Sequence, residues 1–184
     1  MTTPPTFVTG QVLTAAQMNT IGMHLIKSQS VSAGVSSVSV NDVFSADYDR
    51  YRIHFKLNGS SAGSYAHFRL RVAGADLTGS NYYRMGTYAV FSGAWAAYNA
   101  GPTTSFQIVG QWGSSTASTC IMEIVDPYLT ARTGWFAQTN DVGGGAGYFQ
   151  QGLADVTTSY TGFTCYPNGG TFNAGSIKVY GYRD

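Results

Sequence analysis

The feature that most constrains this chain is a two-residue alternation of apolar and polar side chains. It sets in near residue 35 and recurs to the C-terminus. "RYRIHFKL" (50–57) shows it without a break: Tyr51, Ile53, Phe55 and Leu57 alternate with Arg50, Arg52, His54 and Lys56. Successive side chains of a strand point to opposite faces, so this stretch carries one apolar row and one basic row. Similar runs predict strands near 35–40, 50–57, 66–72, 82–91, 103–112, 118–125, 132–139, 146–152, 160–166 and 175–182. Turn clusters such as "NGSSAGS", "GADLTGSN" and "NDVGGGAG" separate them. About ten short strands with no helical stretch between them predict an all-β fold, an antiparallel β-sandwich or jelly roll. With 184 residues, 43% of them hydrophobic, the chain can fill one such core.

The first 30 residues read differently. Residues 1–10 form an extended arm stiffened by Pro4 and Pro5 and carrying Phe7. "LTAAQMNTIGMHLIKS" then predicts a short helix, with Thr14 as N-cap and Gln17 completing a capping box. Leu13, Met18, Ile21, Leu25 and Ile26 make its apolar stripe, broken by Gly22. A helix of about 13 residues is marginal in water and needs a surface to lie on. The expected organisation is an anchor over 1–30 and a sandwich over 31–184.

Charged residues make up only 10% of the chain, against roughly 25% in ordinary soluble domains. Such a surface repels itself weakly, which suits a subunit partly covered by its copies. A net charge of +1 gives no general attraction to nucleic acid or an anionic membrane. "MTTPPTFVTG" lacks the basic and apolar regions of a signal peptide, and no apolar run approaches the 18 or so residues of a membrane span. The expectation is a protein made in a cytoplasm, without membrane insertion. Cys120 and Cys165 read as two buried thiols, with one disulfide as the alternative.

Chemistry-bearing constellations are few. Most of the Asp residues fall in turns, where backbone hydrogen bonding favours them. Glu123 and Asp126 are the only close carboxylates associated with a strand, and their spacing assigns no acid and base roles. His24, His54 and His67 show no metal-ligand spacing. "DVGGGAGYF" lacks the Lys-Ser/Thr and the strand-to-helix context of a phosphate loop. The expectation is therefore no enzyme, no cofactor and no metal. Aromatics are the other carriers of function: Tyr88, Trp95 and Tyr98 crowd a Gly- and Ala-rich stretch. Loop aromatics suit stacking on sugar rings or anchoring in a protein partner, while covering one end of the core is the plainer reading of Trp95.

Several stretches carry a resemblance. "FVTGQVLTAAQMNTI" resembles the N-terminal segment of many tailed-phage tail, baseplate and fibre proteins. "VSSVSVNDVFSADYDRYRIHFKL", "FRLRVAGAD" and the closing "TFNAGSIKVYGYRD" resemble the C-terminal β-sandwich of phage virion appendage proteins. "IVDPYLTARTGW" resembles a mid-domain turn of that family, with Asp126 and Tyr128 in place of Asn and Phe. Residues 80 to 115 carry no part of the likeness. The resemblance implies a virion structural protein, commonly a homotrimer, attached to other virion proteins by its N-terminal part. Host-surface binding by a tail or baseplate appendage is the first expectation, with a surface glycan as ligand. A capsid decoration or head-fibre protein is the alternative. The anchor would use Phe7, Leu13, Met18, Ile21 and Leu25; ligand binding would use Trp95, Tyr98 and Tyr88.

"HFRLRV" (67–72) repeats the basic row, with His67, Arg69 and Arg71 opposing Phe68, Leu70 and Val72. If it paired with 50–57, seven of the chain's thirteen Lys, Arg and His residues would share one face. Like charges opposite one another on neighbouring strands are destabilising. Arg50, Arg52, Arg69 and Arg71 are accordingly expected at a subunit interface, held by carboxylates, carbonyls or tyrosine faces.

Overall fold

The computed structural model describes residues 8–12, 14, 22–60, 64–109 and 116–182. Thirteen strands form two antiparallel sheets, one of eight strands and one of five. The larger runs in the order β1 (Met23–Val31), β13 (Phe172–Tyr182), β3 (Arg50–Gly59), β9 (Ser118–Val125), β10 (Ala131–Asp141), β11 (Ala146–Thr158), β6 (Tyr82–Val90) and β7 (Ala96–Thr103). The smaller runs β2 (Val38–Val40), β12 (Gly162–Pro167), β4 (Ala66–Val72) and β5 (Ala75–Asp76). β8 (Phe106–Val109) also pairs with β4, over its first residues.

The apolar rows face each other across a shared core. Tyr51, Ile53, Phe55 and Leu57 of β3 are buried, as are Ala66, Phe68 and Leu70 of β4 and Phe163 and Cys165 of β12. Phe163 is the hub: its ring lies 4.8 Å from Phe68, 6.0 Å from Phe55 and 6.1 Å from Phe44. Tyr51 buries its ring but keeps its hydroxyl bonded, donating to the Ser45 carbonyl at 3.0 Å and accepting from the Ser45 N–H at 2.8 Å. That phenol pins the loop between β2 and β3, as a buried Tyr hydroxyl must find a partner.

Three sequence expectations are corrected. The helix expected to end with "MHLIKS" is not there: residues 23–31 are strand β1, hydrogen-bonded along β13. Gly22 precedes it with φ of 89°, a left-handed conformation that ends any helix arriving from the N-terminal side. A short amphipathic helix gains little alone, whereas a strand along an existing sheet edge satisfies its backbone at once. The remainder of the expected helix, over 15–21, lies outside the described residues.

The strand expected over 103–112 is two strands, β7 ending at Thr103 and β8 starting at Phe106. β7 escaped the alternation because it is built of small residues, and Pro102 is tolerated because β7 is the sheet edge. Finally, β3 and β4 do not pair. They lie in opposite sheets, so the two basic rows point away from each other on opposite outer faces. The like-charge crowding expected of a hairpin is avoided by the crossover itself.

Candidate functional site

The register of the larger sheet aligns its outward residues into transverse rows. One row reads Tyr180, Arg52, Glu123, Phe136, Gln151, Met85, Asn99, from β13 to β7. The next reads Lys178, His54, Ile121, Gln138, Phe149, Thr87, Ala97. Apolar side chains in these rows are open to water: Met85 is 56% exposed, Phe136 51%, Phe149 50% and Ile121 45%. Trp95, in the turn joining β6 to β7, is 60% exposed, and its ring stands 5.7 Å from that of Phe149.

The members of these rows from Arg52 and Ile121 across to Asn99 and Ala97 line an open groove of about 1050 Å³ that crosses β9, β10, β11, β6 and β7, with Trp95 standing beside its Phe149 wall. Five strands at the ordinary spacing span roughly 20 Å. The groove continues into a neighbouring hollow of about 760 Å³, lined by Tyr83, Gly101, Gly134 and Leu153. Gly134 faces open space, with nothing within 4 Å of an added Cβ, and the missing side chain leaves room there. Apolar surfaces interleaved with the amides of Gln138, Gln151 and Asn99 suit a ligand with one apolar and one hydroxylated face.

The β3 end of the groove is electrostatically structured. Glu123 is buried to 3% exposure and accepts from Arg52 Nε at 2.5 Å and from the Tyr182 hydroxyl at 3.0 Å. The Arg52 guanidinium also lies 5.5 Å from the centre of the Tyr182 ring. This three-residue knot fixes the Arg52 fork at the mouth of the groove. Burial first, then the Arg52 and Lys178 charges, hold His54 below the usual histidine range.

Sequence reasoning placed Trp95, Tyr98 and Tyr88 together, and the structure divides them. Trp95 stands beside Phe149 at the edge of the outer groove. Tyr88 and Tyr98 turn their rings to the opposite face, although Tyr98 also lines the groove. There Tyr88 stacks on Tyr148 at 5.4 Å, Tyr98 lies 6.0 Å from Tyr88, and Arg84 sits 5.4 Å over the Tyr98 ring. The Tyr98 hydroxyl donates to Gln150 Oε1 at 3.0 Å. Burial lifts the Tyr98 phenol and pushes that of Tyr148 up to about 12.

Phe136, Phe149 and Met85 were missed. Their signal was present in the sequence: "YY" at 82–83, "WF" at 135–136 and "YF" at 148–149 put two aromatics side by side in strands. Alternation forces one of each pair outward. Tyr82 and Trp135 are buried, while Tyr83, Phe136 and Phe149 are exposed.

Arg52, Arg69 and Arg71 have carboxylate, carbonyl or tyrosine partners within the chain. Arg69 donates to the Thr104 carbonyl at 2.9 Å and lies 4.7 Å over the Tyr166 ring. Arg71 pairs with Asp76, donates to the Gly74 carbonyl, and reaches Thr164 at 2.6 Å and Ser39 at 3.0 Å. Arg50 is exposed on the outer face of β3. Among the anchor residues, Leu25 is exposed on edge strand β1, and Phe7, Leu13, Met18 and Ile21 lie outside the described residues. Asp126 sits in a turn with φ of 51°, its N–H bonded to the Asp49 carbonyl at 2.6 Å, apart from the groove. Cys120 and Cys165 are buried free thiols; burial pushes Cys120 up to about 12 and raises Cys165 as well. Among the described residues no group of three His, Cys, Asp or Glu is placed to hold a metal.

No family model matches the chain, and no curated protein matches it. Among solved structures, one that the chain is similar to at a low TM-score belongs to a phage protein. That structure is the CBM2 module of the evolved Dit of Lactobacillus casei BL23 phage J-1, 6% identical with a TM-score of 0.36 over 84% of this chain and 76% of that one.

Proposed function

We propose that the protein is a phage virion appendage of the tail or baseplate. Its eight-stranded sheet binds a host-surface glycan in the outward groove. The observation that carries this reading is the set of water-exposed Phe149, Phe136 and Met85 interleaved with Gln138, Gln151 and Asn99, with Trp95 beside Phe149. Exposed apolar side chains gathered in one concavity mark a binding surface, and a sugar ring offers the matching apolar face and hydroxyl rim. The sequence likeness to phage appendage proteins supports the virion setting. The proposed assembly is a homotrimer held to other virion proteins by residues 1–22. Binding without cleavage fits the groove lining, where Glu123 is the one carboxylate among the described residues and is engaged by Arg52 and Tyr182. Glycoside hydrolysis ordinarily needs two.

The test is adsorption of the labelled protein to host cells. The double variant Trp95→Ala, Phe149→Ala should lose adsorption by roughly tenfold or more, since each aromatic contact is worth about 1 kcal/mol. Its folding stability should fall by no more than about 1 kcal/mol, because both side chains are largely in water already. Unchanged adsorption by the folded double variant removes the groove from host binding and favours the capsid decoration role.

A further inference from the structure

The groove is not electrically uniform. Its β7 half is neutral, built of Phe149, Met85 and amides, with Trp95 beside them. Its β3 end opens onto Arg50, Arg52, His54 and Lys56 on β3 and Lys178 on β13, all on the same outer face. Outward residues along β3 recur about every 7 Å, and Lys178 stands directly opposite His54 one strand away. Against these cations the face offers Glu123, already bonded to Arg52, and Asp155, which pairs with Arg132 at 2.6 Å. Among the described residues, Arg50, Lys56 and Lys178 make no ion pair. Arg50, Arg52, Lys56 and Lys178 gather positive charge around His54, which an entering anion would neutralise.

We infer that this cluster is an anion subsite at one end of the groove, and that the ligand is an acidic glycan carrying carboxylate or phosphodiester groups. The inference rests on the glycan-binding reading of the groove and adds the ligand's charge. A chain lying along the transverse rows stacks its apolar faces on Phe149 and Phe136, then meets Arg52 and reaches the cationic cluster within roughly two strand spacings, about 10 Å. The depressed His54 agrees with this geometry, since burial, Arg52 and Lys178 all disfavour its proton, and only Glu123 opposes them.

The experiment compares matched probes with the full chain by calorimetry: oligogalacturonate, its neutral methyl ester, and poly(glycerol phosphate). At least one anionic probe should bind, the neutral ester should bind more weakly, and affinity should fall as salt rises. Lys56→Gln with Lys178→Gln should weaken anionic binding roughly tenfold while leaving any neutral-probe binding unchanged. The His54 pKa, followed by NMR, should rise when the anionic probe is bound. Equal binding of ester and acid, or indifference to the lysine double variant, overturns the anion subsite and leaves the groove reading standing. No binding of either anionic probe and no movement of His54 also overturns the subsite. The Trp95, Phe149 adsorption assay then decides the groove reading independently.

Discussion

Acidification should destabilise this fold through one histidine on the smaller sheet. His67 faces outward on β4, yet its ring is largely enclosed. Its Nδ1 lies 2.8 Å from Ser105 Oγ, and its ring centre lies 5.5 Å from that of Tyr166. Burial lowers its pKa to about 4, and the charges of Arg84 and Arg69 push in the same direction. In the unfolded chain the same imidazole titrates near 6.5. The sign follows from proton counting. Above about pH 6.5 both states are neutral at this site and nothing is lost. Between about 6.5 and 4 the unfolded state takes up a proton that the folded state refuses, so stability falls as pH falls. From pH 7 to pH 5 the loss is about 2 kcal/mol, and it levels off near 3 kcal/mol below pH 4.

The assay is urea unfolding at pH 7 and pH 5 of the native chain and of His67→Gln. Carboxylate contributions are common to both chains and cancel in the comparison. The native chain should lose about 2 kcal/mol more than the variant over this interval. Equal losses would falsify the assignment and mean that the ring reaches water or an acid in the folded protein. His54 is depressed too, so a remaining slope in the variant is expected and has the same sign.

Two further perturbations bear on the fold. Phe163→Ala removes the ring that Phe68, Phe55 and Phe44 share and should cost about 3–5 kcal/mol, lowering Tm by roughly 10 °C; a shift of 2 °C or less would mean the two sheets are not joined there. Asp76→Ala leaves Arg71 and the Thr164 hydroxyl without their carboxylate and should cost roughly 1–3 kcal/mol by urea unfolding, whereas an unchanged midpoint would show that Ser39 and Gly74 alone satisfy the guanidinium.

Most strands were legible because alternation is local: each run from 50–57 to 175–182 declares its own two faces. What alternation does not encode is which sheet a strand joins. "RYRIHFKL" and "HFRLRV" read the same whether the loop between them closes a hairpin or carries the chain across the core. The structure takes the second course. β1 was lost for a related reason, since its pairing with β13 is a contact between residues some 150 positions apart, and Leu25 and Ile26 satisfy a helical stripe equally well. The site was half legible. Trp95 stood out as an aromatic in a turn, but its partner Phe149 sits 54 positions away on β11. Only the register that aligns β11, β6 and β7 brings the two together. Tyr88 and Tyr98 were read as its neighbours from sequence proximity, and the parity of β6 and β7 turned them to the other face.

The two-residue alternation divides labour along single strands. On β9, β10, β11 and β6 the inward positions hold the core, and the outward positions between them hold the groove. A library varied at 85, 87, 97, 99, 121, 138, 149 and 151, with the Arg52–Glu123–Tyr182 knot kept, would therefore exchange one recognition surface for another over an unaltered interior. Binding specificity can drift along the same separation, at every second residue, and the fold need not be renegotiated each time.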